Sequence, residues 1–524
     1  MPLKAHTHEV LNQAPPIAPY NVFSSDLAMR GALEREVIAA GGERGRGLDR
    51  VHDAGELAGS AEALEHSRRC ERNEPVLCTH DRYGNRVDEV DLDPSWHWLL
   101  RQAIEREIHS LPWRDPRPGS HTVRAALMYT WSQVNAGVMC PVSMTYSVIP
   151  ALRESPALAA DWEPRLVRAD YDNVALAGMA MTEKQGGSDV RASTTRAEPQ
   201  SDGSWELTGH KWFCSYPSCE MFLTLAQAPE GLSCFSIEGG DPGFRIQRLK
   251  DKLGTRSLPS SEVEFHGVRG QLVGGEGRGV QTIVRMVNHT RLDCVIGSAA
   301  SIRWGTAQAV HHARHRSSFG RLLAEQPAME NVLADLAIES EAATAAAMRI
   351  ARAYDGAPAD GPFRRLATAI MKYYVCKRAP QHAAEALECL GGNGYVEESG
   401  LPRLYRDSPL NSIWEGSGNV AALDVLRAMD KEPEGLPAFL DEVGAAAGAN
   451  RHLDAHVARL KERLHAPAGG QADRQWLARS TVEGLALALQ GSLLVRSAPA
   501  AVANAFCAAR LGGEGGRAFG TLPA

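Results

Sequence analysis

The sequence predicts a mainly α-helical protein with a β insert: a helical N-terminal domain, a small β-barrel or antiparallel sheet, a second helical domain and an extra helical tail. Three observations carry this prediction. Apolar residues recur at helical spacing from about residue 24 to 167 and again from residue 280 to about 429. Between these stretches, short alternating runs such as Ser204-Trp205-Glu206-Leu207-Thr208 and Ser261-Glu262-Val263-Glu264-Phe265 are punctuated by Gly, Pro and Asp, as strands are. Beyond Lys431-Glu432-Pro433-Glu434-Gly435-Leu436-Pro437, which has the composition of a linker, an Ala-rich helical pattern returns. The expected domains are therefore residues 1–174, 175–278, 279–430 and 431–524.

In chain order, Ser25 and Asp26 precede the run 27–34 as a helix cap does. A Gly- and Arg-rich break at 41–47 separates that helix from another starting near Leu48. Tyr83-Gly84-Asn85-Arg86 suggests a hairpin-like excursion, and residues 96–111 and 122–142 return to helix. Met221-Phe222-Leu223-Thr224-Leu225-Ala226 and Leu232-Ser233-Cys234-Phe235-Ser236-Ile237 read as further strands. Gly274-Gly275-Glu276-Gly277 closes the β region, and Pro467-Ala468-Gly469-Gly470 interrupts the helical tail. No repeat of solenoid period occurs.

Composition narrows the function classes. The chain has 524 residues, 44% hydrophobic and 23% charged, which suits a globular protein with a large core and excludes a disordered or fibrous one. Lys plus Arg is 56 against 63 Asp plus Glu, a formal charge of −7. Nucleic acid is thus not coated by the whole surface, although a segregated basic patch stays compatible. No apolar stretch reaches the roughly 18 to 20 residues of a membrane helix. Met1-Pro2-Leu3-Lys4-Ala5-His6 lacks the apolar core of a secretory signal. Ten cysteines without a CxxC pair read as reduced thiols, so the expected location is cytoplasmic. The chain contains no P-loop, no GxGxxG after a strand, no GxSxG and no HExxH. His311, His312 and His315, beside Arg314 and Arg316, read as a solvated or interface stripe, and no metal is expected.

Three segments carry candidate chemistry. Met179-Ala180-Met181-Thr182-Glu183-Lys184-Gln185-Gly186-Gly187-Ser188-Asp189-Val190 combines hydroxyls, paired glycines and backbone donors. It suits close approach to a flat or phosphate-bearing ligand, and reads equally as a strand-end turn. In Gly209-His210-Lys211-Trp212-Phe213-Cys214-Ser215 an aromatic followed by a small donor fits a ring ligand, or a buried strand. In Asn411-Ser412-Ile413-Trp414-Glu415-Gly416-Ser417-Gly418-Asn419 a carboxylate stands between an indole and a flexible turn. Desolvation by Trp414 raises the pKa of such an acid toward that of a usable base; a helix-capping role for Glu415 is the alternative.

Together these segments resemble the acyl-CoA dehydrogenase superfamily. Its TE-x-x-x-GSD loop matches residues 182–189, its aromatic-x-Thr/Ser element Phe213-Cys214-Ser215, and its R-x-x-F-G motif Arg316-Ser317-Ser318-Phe319-Gly320, followed by Gln326. Leu390-Gly391-Gly392-Asn393-Gly394 and Glu415-Gly416-Ser417 follow in the family's order. The whole chain, with its long N-terminal region and tail, is similar to the AidB-type alkylation-response branch, which also shares Arg248-Leu249-Lys250-Asp251-Lys252-Leu253-Gly254. The resemblance implies a helical N-domain, a β-domain, a four-helix C-domain, bound FAD, and a homotetramer in which a neighbouring subunit completes the cofactor site. It places the flavin against Met179, Met181, Thr182, Gly187 and Ser188, with Phe213, Cys214 and Ser215 on the other side. Trp414, Ser417 and Asn419 border the cofactor, while Arg316 and Phe319 meet its pyrophosphate and adenine end across a subunit boundary. Glu388 departs from the Gln common at that position. The isovaleryl-type base position falls near Asn288-His289-Thr290-Arg291, which offers no carboxylate, and this favours Glu415.

The resemblance implies a flavoenzyme in which Glu415 removes the α-proton of an acyl-CoA-like thioester while a hydride passes to flavin. The alternative is a protective flavoprotein that binds double-stranded DNA through the C-terminal region, its dehydrogenase activity residual. Arg451, Arg459, Lys461, Arg463, Arg474 and Arg479 give that region a basic component, offset by Asp441, Glu442, Asp454, Glu462 and Asp473. Nitroalkane oxidation fits the same fold but more naturally uses Asp as base.

Overall fold

The computed structural model describes residues 10–357, 360–465 and 470–523. The segments Met1-Pro2-Leu3-Lys4-Ala5-His6 and Pro467-Ala468-Gly469, singled out in the sequence, lie outside the described residues. The N-terminal region runs α1 (Leu27–Ala39), α2 (Leu48–Ala58), α3 (Ala61–Arg72), β1 (Val76–His80), β2 (Arg86–Asp91), α4 (Pro94–Glu105), α5 (Leu111–Arg114), α6 (Ser120–Ser132), α7 (Met139–Leu152) and α8 (Pro156–Leu166). The Asp26 carboxylate accepts from the Met29 N–H and caps α1. The region is not wholly helical, because β1 and β2 form an antiparallel hairpin around the Tyr83–Arg86 turn. The single helix expected over 122–142 is two, α6 and α7. Asn135 Oδ1 accepts from the Val138 N–H at 3.0 Å and starts the second helix.

The β region comprises β3 (Ala177–Ala180), β4 (Arg196–Pro199), β5 (Trp205–Cys214), β6 (Met221–Ala228), β7 (Gly231–Glu238), β8 (Phe244–Leu249) and β9 (Ser261–Val273). Strands β6, β7, β9, β5 and β4 pair in a closed circuit, with β8 added to β9. An all-antiparallel sheet is one of the two sequence expectations, and the structure corrects it: the barrel is mixed. β3 pairs with β6 in parallel, Ala177 opposite Met221 and Ala180 opposite Thr224, and β4 joins β6 in parallel at Arg196–Gln227. Alternation within a strand reports its faces but not its partner, so this pairing was invisible to local periodicity. β3 and β4 thus share one edge of β6, and residues 181–195 are extruded between them.

A buried ion pair closes that extruded loop. Glu183 and Lys211 have fully buried side chains and meet at 2.9 Å. Lys211, on β5, also donates to the Leu225 carbonyl of β6 at 2.7 Å. Glu183 accepts from the Thr194 N–H and hydroxyl at 2.7 and 2.9 Å and from the Thr195 hydroxyl at 2.6 Å, so it draws the far end of the loop back to its beginning. Burial alone would raise this carboxyl, but Lys211 and the threonine donors outweigh it and hold Glu183 well below the ordinary carboxylate value.

The C-terminal half begins with α9 (Gly279–His315), which packs against α6, α7 and the long helices α10 (Pro327–Arg352) and α11 (Asp360–Glu388). A two-residue hairpin, β10 (Ser317–Ser318) and β11 (Arg321–Leu322), follows α9; α12 (Leu401–Asp407) and α13 (Gly418–Lys431) follow α11. The tail adds α14 (Gly435–Gly444), α15 (Arg451–His465), α16 (Gln471–Ser497) and α17 (Ala500–Phe506). It shares the main core: Phe439 stacks on Phe363 at 6.0 Å, Arg349 holds Glu442 at 2.6 Å, and α16 packs its buried leucines on α10, α11 and α13. Among the described residues, no helix is long and apolar enough to cross a membrane.

Removing one partner of a buried pair leaves the other charge stranded, typically at a cost of about 3–5 kcal/mol. Lys211→Met is therefore expected to destabilise the protein by about that amount in urea unfolding, and Lys211→Met with Glu183→Gln by clearly less than the sum of the single changes. Because the Glu183 pKa is depressed on folding, its contribution is present above the ordinary value of 4.5 and is lost as pH falls below it. The double variant should accordingly lose less stability than the native protein between pH 6 and pH 3.

Candidate functional site

The first wall of the site is the extruded loop and the end of β5. The Trp212 N–H donates to the Thr182 carbonyl at 2.7 Å, which aligns residues 179–182 with residues 212–215. Gly187 lies over Thr182, and a Cβ there would collide with the threonine hydroxyl, so only glycine lets the loop fold back. Met179, Met181, Thr182 and Gly187 are half-buried; Ser188 is exposed. Phe213 is 48% exposed. Cys214 turns inward, its carbonyl taken by the Ser261 hydroxyl at 3.1 Å, while the Ser215 hydroxyl faces the buried thiol of Cys140 on α7. The Thr182 and Ser188 hydroxyls have no hydrogen-bond partner among the described residues. Apolar side chains beside free donors match a flat, heteroatom-rich ring.

The second wall carries Glu415. Its backbone is left-handed, φ +57°, a conformation that costs a non-glycine residue on the order of 1–3 kcal/mol. Three groups impose it. Arg291 Nε on α9 donates to the Glu415 carbonyl at 3.0 Å, the Lys372 ammonium on α11 holds the Gly416 carbonyl, and Gly416 takes φ +107°. Arg291 is itself gripped by Asp424 on α13 at 2.6 Å, and Arg365 shares that carboxylate. Trp414 is half-buried, with its indole N–H on Asn411 Oδ1 at 2.9 Å and Asn411 on the Ser298 hydroxyl at 3.1 Å.

Glu415 is half-buried; its Oε2 is shielded from solvent and has no hydrogen-bond partner. Burial raises its pKa above 4.5, while the Thr290 hydroxyl, Arg291 and Lys372 pull the other way and only partly offset it. The Cys140 thiol, pushed up to about 12 by burial, feels both the Ser215 hydroxyl and the Glu415 charge. Cys140 thus lies near both the end of β5 and the Glu415 segment.

Arg316 and Phe319 stand apart. Arg291 lies about a third of the way along α9 and Arg316 follows its last residue; at about 1.5 Å per residue they are about 37 Å apart along the helix. Phe319 is 98% exposed on the β10–β11 turn. Residues 391–395 form a short 3₁₀ turn tied to the same end of the molecule, and Glu388 is exposed. Ser417 and Asn419 are exposed at the start of α13. His311 and His315 stack at 4.4 Å, and their ring nitrogens lie on the carbonyls of Pro15 and His311.

Sequence reasoning missed Lys372, Arg291, Asp424 and Cys140 as members of this site. Lys372 was visible as a lone charge in the apolar run Ala369-Ile370-Met371-Lys372-Tyr373-Tyr374-Val375. It also missed a charged junction beside Cys140. There the Thr255 N–H donates to Asp407 at 2.6 Å, the Arg256 N–H donates to Glu71 at 3.0 Å, and desolvation pulls half-buried Lys252 down to about 8. Asp407 is pushed up to about 7 by burial and the neighbouring Glu71.

Lys372 sets both the geometry and the charge of Glu415. In Lys372→Met, the carboxyl stretch of Glu415, followed by difference infrared spectroscopy, should titrate at higher pH than in the native protein, because one of the cations that lower its pKa is gone. An unchanged titration would remove Lys372 from the electrostatics of the site.

Comparison with known proteins matches these regions in order. Residues 12–173 match the adaptive response protein AidB N-terminal domain, residues 178–268 the acyl-CoA dehydrogenase middle domain, and residues 277–429 the acyl-CoA dehydrogenase C-terminal domain. AidB of Escherichia coli (strain K12) is 40% identical over 97% of this chain and 95% of its own length. The structure of Caenorhabditis elegans ACDH-11 in complex with C11-CoA superposes with a TM-score of 0.87 at 27% identity, covering 95% of this chain and 91% of that one. An acyl-CoA dehydrogenase of Bacillus anthracis complexed with FAD shares the fold, with a TM-score of 0.68 at 17% identity over 84% of this chain and 81% of that one. The shared domains and the near full-length likeness to AidB establish that this chain belongs to the acyl-CoA dehydrogenase family and carries the AidB-type N-terminal domain.

Proposed function

We propose that the protein is an FAD-dependent dehydrogenase acting on an acyl-CoA-like thioester, with Glu415 as the base. The observation that carries this reading is the Glu415 carboxylate: a shielded oxygen without a partner, raised in pKa by burial, on a segment that shares the neighbourhood of Cys140 with Ser215. FAD is the cofactor of the family, and the donor set fits it. Met179, Met181 and Phe213 offer apolar surface to the ring, the hydroxyls of Thr182, Ser188 and Ser215 its edge, and Trp414, Ser417 and Asn419 a border. The C11-CoA bound by the Caenorhabditis elegans neighbour supports a thioester of that class. Ten unpaired thiols suit a reducing compartment such as the cytoplasm.

Bound FAD supplies the hydride acceptor; the chain supplies position and proton chemistry. Arg291 and Lys372 fix the backbone on either side of the Glu415–Gly416 bond, so the carboxylate enters the site already oriented. Their charge keeps enough of it ionised to accept the α-proton, while burial raises its basicity above that of a surface acid. Arg316 and Phe319, about 37 Å along α9, serve the cofactor of a neighbouring subunit, in a homotetramer.

Glu415→Gln is expected to keep fold and FAD and to lower acyl-CoA oxidation by at least about a hundredfold, the lower range of general-base contributions. In the native enzyme kcat/KM should fall as pH drops through a pKa above 4.5, because the raised carboxyl protonates earlier; the residual rate of the Gln variant should be flat there. Failure of an anaerobic acyl-CoA series to bleach the flavin would refute the dehydrogenase reading.

Duplex-DNA binding is the second reading, favoured by how the tail uses its arginines. Arg474, Arg496 and Arg510 are spent on Asp430, Glu442 and Asp335. Arg459 and Arg463 instead rest on the carbonyls of Leu511 and Ser480, and Arg479 stands exposed on α16 near Trp476, itself 89% exposed. These charges are free for phosphates. Because the tail shares the main core, point variants test it better than truncation. Arg459→Ala, Arg463→Ala and Arg479→Ala should each reduce the log–log salt dependence of duplex binding by about 1, irrespective of base sequence. Unchanged slopes in all three would exclude this surface.

A further inference from the structure

The far end of the molecule carries an arrangement that no motif announced. Residues 12–15 cross the end of α9 as a strap. The Asn12 side-chain amide pairs both ways with Ser317: its Nδ2 donates to the Ser317 carbonyl at 2.8 Å, and its Oδ1 accepts the Ser317 N–H at 2.7 Å. The Asn12 carbonyl accepts from the Arg316 guanidinium. His311 Nε2 meets the Pro15 carbonyl at 2.8 Å, and Asn393 Nδ2 donates to Gln13 Oε1 at 2.8 Å. One short segment thus ties together the β10–β11 hairpin, the end of α9 and the 391–395 turn.

The charge state of this end is telling. It holds His311, Arg314, His315, Arg316 and Arg321, and among the described residues no carboxylate pairs with any of the three arginines. The nearby acid, Glu325, is turned back on the Leu322 N–H at 3.2 Å. Arg316 is therefore held by a neutral acceptor that fixes its position and leaves its charge available. Beside it, Phe319 is 98% exposed with φ +52°. Oriented guanidinium next to an open aromatic face suits a phosphate joined to a flat heterocycle.

We propose that Asn12, through the strap it anchors, is a positioning residue that presents Arg316 and the 391–395 turn to the pyrophosphate of the FAD held by a neighbouring subunit. The proposal rests on the flavoprotein reading above and adds a segment outside the dehydrogenase motifs to the cofactor site. An arginine side chain ordered in advance avoids part of the rotamer entropy lost on binding, about 0.5–1.5 kcal/mol for such a side chain. The part retained, about 0.7–1.4 kcal/mol, corresponds to roughly 3- to 10-fold in affinity.

The test uses full-length protein stripped of flavin, with FAD and FMN titrated by fluorescence. Asn12→Gly keeps the left-handed backbone at this residue, φ +55°, and removes only the side-chain amide. It should weaken FAD roughly 3- to 10-fold and leave FMN, which lacks the adenylate half, unchanged. Arg316→Ala should weaken FAD further, and adding Asn12→Gly to it should cost less than it does in the native background, since part of the strap's effect runs through that arginine. Equal FAD affinity for Asn12→Gly and native protein, equal losses for FAD and FMN, or fully additive losses with Arg316→Ala would each overturn the proposal while leaving the flavoprotein reading intact. Native protein that takes up no FAD would sink both.

Discussion

The Glu183–Lys211 ion pair is the constraint on which the rest of the site depends. Two charges without solvent cost several kcal/mol each, and a single contact does not compensate for that. Here the carboxylate also collects the donors of Thr194 and Thr195, while the ammonium reaches the Leu225 carbonyl. These bonds join β5, β6 and both ends of the 181–195 loop at one buried point. The loop can therefore leave its outer residues, Gly186 to Ser188, open to a ligand without losing its position. Glu183 follows Thr182 directly, yet its carboxylate is fully committed to this clamp, so the acid of the loop motif is structural.

Glu415 shows the opposite use of charge. The cations around it grip backbone carbonyls, and the carboxylate itself keeps one oxygen unpartnered. Both the left-handed φ and the orphaned oxygen are unfavourable, and each persists because Arg291, Lys372 and Asp424 over-determine the surrounding chain. Lys372 is buried in the middle of α11 and gives its strongest contact to Gly416. A group held this way is oriented in advance, as the proposed proton transfer requires. Glu183 is fully buried and fully satisfied, whereas Glu415 is half-buried and keeps a shielded oxygen unpartnered; that asymmetry is what favours Glu415 over Glu183 as the base in the proposed reading.

Much of this was legible in the sequence, and the limits follow a physical rule. Periodicity marked helices, strands and the Tyr83–Arg86 turn, because those depend on neighbours a few residues away. The motif order placed Thr182, Phe213, Ser215 and Glu415 as candidates, since the chemistry needs those side-chain types. What escaped was everything set by contacts distant in sequence. The parallel pairing of β3 and β4 with β6, the split of α6 from α7 at Asn135 and the sharing of one core by the tail and the long helices are of this kind. Lys372 and Cys140 escaped for the same reason: each lies in an apolar helical run, where only the tertiary fold says what it faces.

The length of α9 carries the last step. Arg291 and Ser298, which hold the Glu415 wall, lie between the first third and the middle of the 37-residue α9, and the Arg316 hairpin lies beyond its end. No bend short of a break brings them together, since long helices curve only gently. A ligand that needs both sets of residues must be shared between copies of the chain, each copy giving one end to its own site and the other to a neighbour's. On the reading proposed above, the exposed Phe319 and the unpaired arginines form one half of a site whose other half lies on another subunit. The strap of residues 12–15 belongs to the same logic: a hairpin of two-residue strands has little stability of its own, and an end that must meet a partner's ligand gains from being fixed before the partner arrives.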